Sequence, residues 1–166
     1  MDDTTGTVVV GVDGSPGSRA ALVHALEEAD RRAARLRVIV AAQVPEYWAM
    51  AYGMVAPPPL AEIVDAARDV GQHQVDAVLA DRPDLASRVE VSVEALAGMP
   101  AHVLLDAAEG ADLLVIGHRG RGAVRSALLG SVGLQCVLHA ACPVTIVRAA
   151  ASTERSDRAE EAAVPA

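Results

Sequence analysis

ADLLVIGHRGRGAVRSALLGSV, residues Ala111 to Val132, joins an apolar run to a glycine- and arginine-rich segment and a Gly-Ser pair. Asp112 to Gly117 is a short apolar run, as a parallel strand buried on both faces requires. Gly130-Ser131 opens a helix that runs from Val132 to Ala140. Between strand and helix stand Gly117, Gly120 and Gly122, with His118 and the arginines Arg119, Arg121 and Arg125, and no acid. Glycines let backbone N–H groups reach an anion with no Cβ in the way. The first amides of a helix and its dipole favour negative charge. The Ser131 hydroxyl adds one donor. The spacing Gly117-x2-Gly120-x9-Gly130-Ser131 therefore reads as a phosphate cradle. The alternative is a flexible surface loop in which Ser131 only caps the helix.

Outward from this stretch the chain alternates short branched runs with longer helical ones. Thr7 to Asp13 is a nearly continuous apolar run, the first strand. Ser15-Pro16 starts a helix, with Ser as N-cap and Pro in the first turn. That helix is expected to about Ala34, with Leu22, Leu26, Ala29 and Ala33 on one face. Leu36 to Val44 reads as the second strand. Leu60, Val64, Ala67, Gly71 and Val78 mark a second helix ending near Ala80. Arg88 to Ala95 alternates as a third strand, Ala101 to Ala108 is a short helix, and Pro143 to Val147 is a fifth strand. Alternation of this kind predicts an α/β fold with a parallel sheet. One domain over residues 7–148 follows, with a polar tail at 1–6 and a charged, Ala-rich tail at 149–166 expected to be disordered.

Ligands of an open parallel sheet bind beyond the strands' carboxyl ends, where strand order reverses. Gly11-Val12-Asp13 ends strand one, and Gly117-His118 ends strand four. Asp13 is redundant as a cap beside Ser15. It can accept a ribose hydroxyl or hold Mg²⁺ through water, or be a solvated turn residue. Pro45 to Pro59 carries all three aromatics, Tyr47, Trp48 and Tyr52, and reads as a lid or as a cover on the core.

Composition removes several function classes. The net charge of −8 opposes nucleic acid and anionic membrane surfaces. No apolar run is long enough for a bilayer, and the acidic start MDDTTGT is not a signal peptide. A cytoplasmic protein is expected. All 14 basic residues are Arg, so no Walker lysine, kinase lysine or Schiff base is available. Cys136 and Cys142 match neither a zinc pair nor a redox motif and read as small buried thiols. The five histidines show no metal spacing.

Three segments, Val8 to Leu22, Ala111 to Gly122 and Leu128 to Val147, resemble the universal stress protein family, in its ATP-binding branch. The resemblance covers about residues 7–148. It implies an open, doubly wound, Rossmann-like (adenine nucleotide alpha hydrolase-like) five-stranded sheet of order 3-2-1-4-5, with helices on both faces. It further implies ATP, with or without Mg²⁺, lying across the crevice between strands one and four. Gly11, Val12 and Asp13 would line the nucleotide, with Asp13 near ribose or metal. Ala42 would offer backbone to adenine. Gly117, His118, Gly120, Gly130, Ser131 and Val132 would hold ribose and phosphates, with Arg119, Arg121 and Gly122 in the same loop. A homodimer through 144–147 is also implied, together with a protein partner whose identity is open. The expected role is a non-catalytic, nucleotide-linked regulator of the stress response. The alternatives are a slow ATP hydrolase and a nucleotide-free dimerisation module. The sequence departs from the family pattern at His24, where relatives carry an aromatic, and at Ala41, where many carry His.

Overall fold

The computed structural model describes residues 5–43, 58–118, 120 and 129–149. Five parallel strands form one sheet: β1 (Thr7–Gly11), β2 (Arg35–Ala42), β3 (Val91–Ala97), β4 (Leu113–Gly117) and β5 (Val144–Val147). Their order is β3-β2-β1-β4-β5. The winding therefore reverses between β1 and β4, which pair in register through Val8↔Leu113, Val9↔Leu114 and Val10↔Val115.

The helices are α1 (Pro16–Arg32), α2 (Leu60–Asp81), α3 (Pro83–Ala86), α4 (Pro100–Ala107) and α5 (Ser131–His139). Strand periodicity sorts them onto two faces. Val8, Val10 and Val12 point into a core with Leu22, Leu26, Val75 and Val78 of α1 and α2. Val9, Ile39, Leu114 and Ile116 point the other way, onto α4 and onto Cys136 of α5. Val8, Val9, Val10, Leu114 and Val115 have no exposed surface, and each such side chain contributes roughly 1.5–3 kcal/mol over its exposed state. An aliphatic core suffices because the central strands are covered on both sides.

Several boundaries differ from the sequence reading. α1 stops at Arg32, because Ala33 turns into the left-handed region (φ 51) and is exposed, while Ala34 takes the buried place. The chain needs that reversal to enter β2, where Arg35 N–H reaches the Gly6 carbonyl at 3.0 Å. The third strand begins at Val91 rather than Arg88. Residues before it are held in helical turns, with Arg88 and Val89 N–H groups both donating to the Leu85 carbonyl. The alternation has the right parity, since Val89 and Ala95 are both buried, but local turns take the first residues of the run. The second strand ends at Ala42, and Val44 lies outside the described residues. No helix among the described residues is long and apolar enough to cross a membrane.

Candidate functional site

The β1–α1 turn is built first from its own polar groups. Ser15 caps α1: its Oγ accepts the Ser18 N–H at 3.1 Å, and Pro16 follows, where a missing N–H costs nothing. Asp13 Oδ1 accepts the Ser15 N–H at 3.0 Å. The Asp13 N–H donates to Ser18 Oγ at 3.3 Å. The Gly14 N–H donates to Oε1 of Gln74, on α2, at 3.2 Å. The amides of residues 13, 14, 15 and 18 are thus all spent within the protein. This helix start offers an anion little.

The β4–α5 side is different. Gly117 ends β4 pressed on the first turn of α1. A Cβ there would sit 2.7 Å from the Gly17 carbonyl carbon and 2.8 Å from its oxygen. Its missing side chain lets the strand approach the helix. His118 bridges two elements by backbone: its N–H donates to the Val147 carbonyl at 2.7 Å, and its carbonyl accepts the Gly130 N–H at 3.3 Å. The start of α5 is thereby tied to the ends of β4 and β5. Gly130 is the N-cap of α5 and has no side chain with which to cap it. Among the described residues, the atom nearest to a Cβ built at position 130 is the His118 carbonyl oxygen, at 3.6 Å. Ser131 is exposed, whereas Val132 packs partly into the core.

Asp13 joins the two sides. A Cβ at Gly120 would lie 2.5 Å from Asp13 Oδ2, so the segment after β4 comes back across the end of β1. The two stretches singled out in the sequence do face one crevice. Gly11 sits at its base, with Leu104 side-chain carbons 2.9 Å from where its Cβ would be. Val12 is buried, and its N–H donates to the Ile39 carbonyl at 3.0 Å. Ala42 lies three residues beyond the last β1 partner, Ile39. Its carbonyl accepts the Gly98 N–H at 3.1 Å, on the β3 side. Arg119, Arg121, Gly122, Arg125 and the Tyr47–Trp48–Tyr52 segment lie outside the described residues.

The sequence reading missed Gln74 and Ser18. Gln74 is only 9% exposed. It sits three residues after Gly71 on the buried stripe of α2, but the search for an apolar stripe passed over a polar residue. The signal was there: an amide at a core-facing position needs partners. Cys136 fits its bland reading. It is fully buried, and burial, followed by the nearby Cys142, pushes its thiol above the usual range. Cys142 is only partly buried. Among the described residues no group of three or more His, Cys, Asp or Glu can hold a metal ion. Asp13 alone does not make a metal site.

Comparison with known proteins agrees with this fold. The model of the universal stress protein family matches residues 4–148. A universal stress protein of Mycobacterium tuberculosis is 34% identical over 149 residues, covering 84% of this chain and 47% of that protein. The chain thus spans about half the length of its mycobacterial relatives. A solved universal stress protein in complex with cAMP superposes with a TM-score of 0.55 at 26% identity, covering 88% of this chain and 98% of that one. An Arabidopsis thaliana family protein with AMP bound shares the fold, with a TM-score of 0.58 at 21% identity, covering 93% and 98%.

Proposed function

The chain belongs to the universal stress protein family, and on that premise we propose that it is an adenine-nucleotide-binding regulator of the stress response that takes ATP. One observation carries the reading. Of the two helices that begin at the β1–β4 crevice, α5 starts at a glycine with no side-chain cap and an exposed serine beside it. Phosphates suit the α5 start, held by its amides and by Ser131. The ribose suits Asp13, which stands where the two stretches meet, its Oδ1 on the Ser15 N–H and its Oδ2 beside Gly120. The relatives solved with cAMP and with AMP support an adenine nucleotide as the class of ligand.

Magnesium, where used, arrives with the phosphates. A lone carboxylate reaches such an ion through water. Its charge offsets the repulsion between Asp13 and the phosphates. Regulation then needs only that ATP bind one conformation better than another. β5 is a sheet edge, flanked in sequence by α5 with exposed Leu134, Val137 and Leu138. These features support a homodimer through residues 144–147. We assign no catalytic residue, and steady-state phosphate release is expected to stay at background. Calorimetric titration of the purified protein with ATP and Mg²⁺ tests the reading: micromolar binding is expected, and no binding by nucleotide-free protein would refute it.

A further inference from the structure

We infer that Gln74 is a positioning residue: from α2 it holds the β1–α1 turn that presents Asp13 to the crevice. The inference rests on the nucleotide reading above and extends it to a helix that contributes none of the residues assigned to the ligand. Gln74 reads two opposite polarities of the same turn. Its Oε1 accepts the Gly14 N–H at 3.2 Å, and its Nε2 donates to the Ser15 carbonyl at 3.2 Å. Only a neutral amide of this length does both. Nε2 also donates to Ser18 Oγ at 3.1 Å, and that same hydroxyl oxygen accepts the Asp13 N–H at 3.3 Å. The Ser18 proton has the Ser15 carbonyl at 3.0 Å and Gln74 Oε1 at 3.3 Å as acceptors.

The network has no slack. Gln74, Ser15 and Ser18 are 9%, 8% and 4% exposed while Gly14 is exposed beside an open hollow, so the bonds at Ser15 and Ser18 are the ones water replaces least. Without Gln74 the Gly14 N–H and the Ser15 carbonyl lose a bond each, on either side of the residue pair that fixes Asp13. The placement of α2 makes the link firm. At Gly71, one turn before Gln74, a Cβ would lie 2.5 Å from Val40 Cγ2 of β2, so the helix lies directly on the sheet.

The test compares native protein with Gln74→Leu, and with Gln74→Met, which keeps the unbranched length should the first variant fail to fold. ATP with Mg²⁺ is titrated calorimetrically, and the Gly14 amide is followed by NMR hydrogen exchange in the absence of nucleotide. The expected result is at least about a tenfold loss of ATP affinity in a folded variant, with faster exchange at Gly14. In an Asp13→Asn background the second substitution should cost little more, because both act on one contact. A variant that is less stable yet binds ATP like the native protein would overturn the proposal. So would losses that simply add in the double variant. Native protein that binds no ATP would remove the nucleotide reading itself, and that failure shows before any variant is made.

Discussion

Two helices begin at the carboxyl edge of the sheet, α1 beside Asp13 and α5 beside His118, and they begin differently. At α1 a serine caps the helix, a proline occupies the first turn, and Asp13, Ser18 and Gln74 take up the neighbouring amides. At α5 the cap is a glycine without a side-chain bond. The α1 start, with the amides of residues 13, 14, 15 and 18 bonded within the protein, stabilises the fold and has little left for a ligand. A glycine cap forgoes only a few tenths of a kcal/mol against Ser, Asn or Asp, and it brings no side chain to the first amides of its helix. On the proposed reading one crevice divides its work, the β1 side giving rigidity and the β4 side taking the phosphates.

The largest expected effect lies at the seam between them. Gly117→Val would drive a side chain into the Gly17 backbone, which has no flexible end to give way. Overpacking of this kind costs about 1–3 kcal/mol, read as a lower midpoint in urea. Unchanged stability would mean that the two helix starts are not held together through Gly117. Ser15→Ala comes next. It should cost about 1 kcal/mol and change ATP affinity much less than stability, because the α1 cap faces its own helix. A large loss of affinity with intact stability would reverse the roles assigned to the two ends.

A smaller effect belongs away from the crevice and serves as the control. Arg37 Nε and Nη2 donate to the Glu94 carboxylate at 2.8 and 3.0 Å. The Arg37 hydrogen bond holds the Glu94 carboxyl below its ordinary 4.5. Stability from this pair is present above that ordinary value and is lost as pH falls through the lowered one. Both side chains are partly exposed, so screening keeps the contribution to about 1 kcal/mol or less. Glu94→Gln should flatten the acid limb of a stability–pH curve below about pH 5 and leave nucleotide affinity alone. A change in affinity would mean that stability and binding are not separable in this molecule.

The parts legible in the sequence are those where local chemistry and tertiary structure agree. Val8–Val10 and Leu113–Ile116 read as doubly covered strands and are buried throughout. Ser15-Pro16 named the start of α1 correctly. Strand order came from the family resemblance, since periodicity carries no information on which strands are neighbours. Other features were hidden for physical reasons. That Gly117 must lack a side chain to pack on Gly17 is not legible, since Gly17 lies a hundred residues away. Gln74 is invisible to a search for apolar stripes because its partners are backbone groups of another element. Ala33 is left-handed although nothing in its residue type asks for it.

The most direct measurement is Gly130→Asp, with stability and ATP affinity determined on the same preparation. Among the described residues the position has space for a side chain, and its extended backbone (φ −63, ψ 157) suits a cap. An aspartate there supplies the missing cap and sets a carboxylate where the phosphates are assigned. The prediction is stability unchanged or raised by a few tenths of a kcal/mol, together with at least about a tenfold loss of ATP affinity. A stable variant that binds ATP as the native protein does would contradict the assignment of the phosphates to the start of α5.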